Sequence, residues 1–219
     1  MKVKLVGYTQ PADEFRDKFS DVKDLVAFCA RVSNPSNQFN NETADKLIRY
    51  LVKNKHWSPL EMASATVEIE TTRDIARQLL RHRSFSFQEF SQRYADPTKD
   101  LEFVTREARL QDTKNRQNSI YLDMDDEDHR FIAADWDRRQ QEIIDLVKEH
   151  YSWAVGCGIA KEQARAILPE GNTVSRLYVS GTIRSYVHYI EVRTDPSTQK
   201  EHRLLAKAVG EAIAKIFVI

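Results

Sequence analysis

Residues 65–72, "ATVEIETT", constrain the fold more than any other stretch of the chain. Val67 and Ile69 alternate with Glu68 and Glu70, the period-two pattern of a strand with one buried face and one wet face. Antiparallel sheets tolerate a solvated face; parallel sheets covered on both sides do not. Residues 2–9 and "NTVSRLYVSG" at 172–181 read as further strands.

Between the strands the period changes to 3.6. Helices are expected over 21–32, 42–54, 73–83, 131–155, 182–193 and 199–217, with a short one in "AKEQARAIL" ending at Pro169. "HWSPLE" at 56–61 interrupts the series, because the residue before Pro59 is pushed out of helical backbone. Residues 95–130 form a long irregular connection with a short strand at 101–104, and its acidic run "DMDDEDH" reads as a solvated loop. There is no repeat, low-complexity tract or linker. The expectation is one α+β domain spanning 1–219, a mostly antiparallel sheet flanked by helices.

Charge narrows the function classes. Lys+Arg and Asp+Glu both number 33, so there is no global field for nucleic acid and no polybasic tail for membranes. "MKVKLVGYTQ" has no long apolar run, and a cytosolic location is expected. Neither cysteine has metal-ligand spacing. Cys29 falls on the apolar stripe Val22, Leu25, Val26, Val32 and reads as a small core residue, whereas Cys157 sits between glycines in "VGCGIA". No GxGxxG or Walker loop is present.

With a neutral chain, an anion site must be local, and "RHRSFSFQEFSQRY" at 81–94 is the place for one. Arg81, His82, Arg83 and Arg93 surround Ser84, Ser86, Gln88, Glu89 and Ser91. On a helix over 73–83, Arg73, Arg77 and Arg81 share a face, with Gln78 beside Arg81. Hydroxyls, backbone N–H groups and a guanidinium fork equip a phosphate site. The residues alone also allow a structural ion-pair cluster, or a nucleic-acid surface with Phe85, Phe87, Phe90 and Tyr94 as stacking platforms. Alternating Phe85 and Phe87 suit core or interface packing better than stacking.

"RHRSFSFQEFSQR" resembles the signature of flavin-dependent thymidylate synthases: Arg-His-Arg, seven residues, then Ser, met here by Arg81-His82-Arg83 and Ser91. "ARVSNP" at 30–35, "HWSPLE" at 56–61, "ARQLLRHR" at 76–83, "ARAILP" at 164–169 and "GTIRSYVHYIEVRTDPSTQKE" at 181–201 are similar to further family blocks, in order. The wording of 87–94 is close to a virus and phage branch. The resemblance implies transfer of the methylene carbon of 5,10-methylenetetrahydrofolate to dUMP, with reduction by FAD hydride drawn from NADPH, giving dTMP and tetrahydrofolate. It implies a homotetramer with active sites at subunit interfaces and no need for a cysteine nucleophile. It carries Gln78, Arg81, Glu89, Ser91, Gln92, Arg93, Arg165 and Arg193 to dUMP, with Arg193, Arg165 and Ser91 as catalytic candidates. Ser33, His56, Ser58, Glu61, Arg81, His82, Arg83, Ser84, Glu89, Arg184 and His188 fall to the flavin side. Gln88, Met62, Thr182 and Ser197 depart from the residues many or some members carry there.

Overall fold

The computed structural model describes residues 1–217. In chain order the elements are β1 (Lys2–Tyr8), α1 (Val22–Ala30), α2 (Ala44–Lys53), β2 (Ser64–Thr72), α3 (Arg73–Leu79), β3 (Ser86–Glu89), α4 (Pro97–Asp100), β4 (Arg109–Gln111), β5 (Ser119–Tyr121), α5 (Glu127–Gly156), α6 (Lys161–Ala164), β6 (Val174–Thr182), α7 (Ile183–Arg193) and α8 (Lys200–Ile213). One antiparallel sheet runs β1-β2-β6-β3, and β4-β5 form a separate hairpin.

The alternation in β2 organises that sheet. Val67 and Ile69 are 0% and 1% exposed and pair across β6 with Val179 and Leu177, and their face is closed by Ile183, Tyr186, Leu205 and Val209 of α7 and α8. On the other face the acids line up in register. Glu70 takes Lys2 at 3.2 Å and Arg176 at 2.6 Å, and Glu68 takes Lys4 at 3.3 Å and the Tyr178 hydroxyl at 2.9 Å. The Tyr178 hydrogen bond and the Arg176 guanidinium are the main groups that hold Glu68 and Glu70, respectively, below the usual carboxylate range.

β2 and β6 each run without a loop into a helix. Ser64 pairs with Thr182 and Thr72 with Val174, so α3 and α7 leave opposite ends of the sheet and run back over it. The turn after α3 then crosses to the far end, where Ser86 opens β3 opposite Ser180. This crossing lays residues 80–85 along α7, with His82 at its C-terminal end and Ser84 at its N-terminal end.

Several expectations change. The helix at 73–83 ends at Leu79, and His82 N–H closes the turn on Leu79 O at 3.0 Å. Arg81 and Arg83 are therefore turn residues, off the face of Arg73 and Arg77. The strand at 101–104 reduces to one bridge, Phe103 to Thr173. What secures this connection is Arg106, whose Nη2 reaches Asp74 and Thr72 at 2.6 Å each while its backbone bonds Gln140 on α5. The acidic run ends as a cap, with Asp126 accepting from His129 N at 3.1 Å, and α5 starts at Glu127 rather than 131. Cys29 is only half-buried, and burial pushes its thiol up; Val32 on the same stripe is 68% exposed.

Candidate active site

Arg193 is the last residue of α7, and its Nε donates to His82 Nε2 at 2.8 Å. A guanidinium only donates, so His82 is neutral, with its proton on Nδ1. Burial, then the Arg193 and Arg81 charges, hold its pKa below the ordinary value. The Tyr189 ring meets His82 edge-on at 5.1 Å. Among the described residues the two terminal nitrogens of Arg193 make no hydrogen bond and no carboxylate pairs with it.

Behind this pair lies a one-way chain of hydrogen bonds. Arg109 is paired with Glu201. Glu201 accepts from Gln199 Nε2 at 2.8 Å, Gln199 Oε1 accepts from Gln78 Nε2 at 2.9 Å, and Gln78 Oε1 meets His202 Nδ1 at 3.1 Å. Because a carboxylate can only accept, each amide orientation follows from the last, and His202 must carry its proton on Nδ1. His202 is fully buried, and burial, ahead of the Arg193 and His82 charges, pushes its pKa down to about 3. One proton and one lone pair of the Gln78 amide remain for a ligand.

A second group gathers beyond β3. Glu89 holds Ser175 Oγ at 2.7 Å and Arg73 at 3.5 Å. Ser91 Oγ accepts from Arg93 N at 3.4 Å. Arg93 meets Glu162 at 3.4 Å, and Arg165 donates to the Glu162 carbonyl at 3.3 Å, so the two arginines share the α6 corner. Gln92 is 4% exposed, and its Nε2 is buried without a partner.

Of the remaining candidates, Ser84, Glu61 and Arg184 meet at the N-terminal end of α7. Ser84 O accepts from Ser185 Oγ at 3.1 Å, which ties the Arg-His-Arg turn to that end. Arg81, Arg83 and Ser84 are exposed, and neither arginine has a carboxylate partner among the described residues. Arg184 pairs with Glu61, and the His188 ring stands on Trp57 at 4.5 Å. Ser33, His56 and Ser58 are exposed, His56 beside Tyr50. Thr182 is a helix cap, accepting from Ser185 N at 3.3 Å, and Ser197 bonds Asp195 at 2.6 Å.

The family model for "Thymidylate synthase complementing protein" matches residues 15–217. A "Probable flavin-dependent thymidylate synthase" of Paramecium bursaria Chlorella virus 1 is 47% identical over 99% of this chain and 95% of the viral protein. The chain belongs to the flavin-dependent thymidylate synthase family. A relative from Synechocystis sp. is 45% identical over 99% of this chain and 96% of its own. Among solved structures, a UMP/dUMP methylase PolB from Streptomyces cacaoi bound with 5-Br dUMP is similar at a TM-score of 0.77 and 26% identity, over 98% of this chain and 90% of that one.

The chemistry of the exposed groups fits the family's cofactor. A flavin dinucleotide brings a pyrophosphate, and the Arg81–Ser84 turn offers two unneutralised guanidiniums and a hydroxyl to one. Three residues escape the sequence reading: Tyr189, Gln199 and His202. His202 carried a signal, since it falls on the α8 stripe with Leu205, Ala206 and Val209, where a histidine must find a partner inside.

That burial predicts a pH dependence. The folded pKa of His202 lies below its unfolded value of 6.5, so the unfolded chain binds the extra proton first. Its contribution to stability is complete above 6.5 and is lost as pH falls from there toward 3. Between pH 7 and 5 the wild type loses about 2 kcal/mol from this group. In His202→Asn, whose amide keeps the Nδ1-side donor, that increment disappears. Urea midpoints at the two pH values decide it: an unchanged pH dependence in the variant would clear His202 of the role.

Proposed function

We propose that this protein converts dUMP to dTMP, passing the methylene carbon of 5,10-methylenetetrahydrofolate to C5 of the pyrimidine. FAD, when bound, supplies the hydride that completes the methyl group, having taken it from NADPH. The observation that carries the assignment of residues is Arg193, half-buried, held at Nε by His82 and left with two free donor nitrogens.

A guanidinium so placed stabilises negative charge as it develops on the uracil carbonyls. Neutral His82 orients that fork without adding a second positive charge. Gln78, fixed by His202 and Gln199, presents one donor and one acceptor to the pyrimidine edge. Ser91, Gln92 and Arg93, with Arg165 on the same corner, supply donors for the nucleotide phosphate, and Glu89 receives a hydroxyl. Arg81, Arg83 and Ser84 hold the flavin pyrophosphate, and Ser33, His56, Ser58, Glu61, Arg184 and His188 line the cofactor's remaining length.

Arg165 and Arg193 share no partner among the described residues of one chain, which supports a site completed by a second subunit. α5 supports the same reading, because it turns Phe131, Trp136, Ile143, Leu146 and Trp153 outward at 44–71% exposure, a display that a monomer leaves uncovered. Sedimentation should give four times the chain mass; a monomer would remove the shared-site reading. One main core under one sheet supports a single domain over 1–219. No described helix is long and apolar enough to cross a membrane, and we place the reaction in the cytosol, that of the host for a viral protein.

The deciding experiment is anaerobic reduction of the purified protein by NADPH, followed in the flavin bands with and without dUMP. The flavin bleaches, and faster with dUMP present. A colourless protein that takes up no FAD overturns the assignment.

A further inference from the structure

Beside the Gln78 chain, between the β4–β5 hairpin and the start of α8, lies a cleft of about 360 Å³, within the usual range for small-ligand sites. Its wall carries Arg109, Arg116, Lys200 and Arg203, and no Asp or Glu. Two of these charges are already answered. Arg109 pairs with Glu107 and Glu201, and Lys200 with Glu107 at 2.6 Å while lying over the Tyr121 ring at 4.5 Å. Together they pin the hairpin to α8.

The other two are not answered. Among the described residues Arg203 donates only to the carbonyls of Pro196 and Thr198, at 2.8 and 3.4 Å. The Arg116 side chain makes no hydrogen bond or ion pair among the described residues. The neighbouring acids are committed elsewhere: Asp112 holds Asn118 at 2.9 Å and Asp195 holds Ser197 at 2.6 Å. Two unneutralised guanidiniums therefore face one concave, acid-free space. That space is continuous with the candidate nucleotide site, because Gln199 both lines the cleft and bonds Gln78 at 2.9 Å.

We propose that this cleft is an oxyanion subsite holding the acidic tail of a co-substrate, with Arg116 and Arg203 as its contacts, while the reactive end of that molecule lies toward Gln78 and Arg193. The inference rests on the thymidylate synthase reading above and goes beyond it. Paired guanidinium forks take carboxylates and phosphates alike. Two co-substrates bring such groups: the folate, through its glutamyl carboxylates, and NADPH, through its 2′-phosphate.

The test compares wild type with Arg116→Gln, Arg203→Gln and the double variant, each first checked for unchanged circular dichroism and flavin content. kcat/KM is measured with mono- and pentaglutamyl methylenetetrahydrofolate and with NADPH and NADH. If glutamyl carboxylates occupy the cleft, kcat/KM for the folate, in the pentaglutamyl form alone or in both forms, falls about tenfold for each arginine removed, with the KM for dUMP unchanged. If the 2′-phosphate occupies it, the preference for NADPH over NADH falls by that factor instead. A folate kcat/KM and an NADPH/NADH preference both equal in wild type and double variant, or a change in oligomeric mass alone, overturn the proposal. Calorimetric titration with tetra-γ-glutamate and with adenosine 2′,5′-bisphosphate reads the cleft without turnover. An inactive protein that still binds one of them, through these arginines, separates failure of the catalytic reading from failure of the subsite.

Discussion

Arg193→Ala lowers kcat for dTMP formation by about 10²–10³-fold, the cost of deleting one preorganised donor to a developing oxyanion, while the protein stays folded and keeps its flavin. The geometry separates these effects. Arg193 ends α7 and makes one hydrogen bond, to His82, so truncation leaves one half-buried imidazole nitrogen unpartnered, about 1 kcal/mol. Nothing in the core rests on the guanidinium. Removing it also lifts one of the charges that depress the His82 pKa, so the variant's residual activity should acquire a dependence on His82 protonation at higher pH than the wild type. Arg193→Lys keeps the charge but loses the fork that meets His82 and substrate together, and recovers only part of the loss. NADPH-driven flavin reduction without dUMP is the internal control, since it does not need the pyrimidine. Full dTMP formation by Arg193→Ala would move the oxyanion role to another residue.

How much of this was legible depended on whether the cause was local. The alternation of Val67 and Ile69 with Glu68 and Glu70 announced a half-wet strand, and its partners obey the same rule, placing Lys2, Lys4, Arg176 and Tyr178 opposite the acids. α7 and α8 were visible as helical segments, although α8 ends at Ile213 rather than 217. β3 was not, because four residues with exposed Ser86 and Gln88 become a strand only by pairing with β6. The β4–β5 hairpin is three residues a side and owes its place to Arg109 and Lys200 reaching Glu201 and Glu107. α3 ends before the helical period of its letters does, because the chain turns at Leu79–His82 and crosses to pair Ser86 with Ser180.

The site was legible in a different way. Residue chemistry alone reached a local anion site with three readings open; the order of motifs along the chain selected one. What no spacing could supply is which partners a residue meets. Arg93 and Arg165 are 72 positions apart and join through Glu162, and Gln78 is oriented by Gln199 and His202, 121 and 124 positions away. Those contacts exist only once β2 and β6 have fixed where their helices lie.

Gly181→Ala should cost about 1–3 kcal/mol, the range for forcing a methyl into a packed core, and should lower turnover along with stability. Gly181 sits near the end of β6, opposite Ala65. A Cβ there runs into the edge of the Phe85 ring. A ring at the end of a mobile side chain could step aside, but Phe85 is 8% exposed and enclosed by Tyr186 at 4.8 Å, Tyr189 at 5.9 Å and Phe87 at 6.2 Å. Its displacement must pull on its own backbone. That backbone is the last link of the Arg-His-Arg turn: Phe85 N bonds His82 O at 3.3 Å, and Ser84 O is held by Ser185 at 3.1 Å. The methyl therefore acts on His82, and through it on Arg193, without touching either, and a shift of the fork by about 1 Å is enough for a loss near 10²-fold. Phe85→Leu in the same chain makes room for the methyl, so the double variant should be more stable than the two single losses predict. That positive coupling, read from denaturant unfolding as a double-mutant cycle, distinguishes a clash at this ring from any general intolerance of β6. Additive losses, or a Gly181→Ala protein as stable and active as wild type, would show that Phe85 does not set the position of the turn.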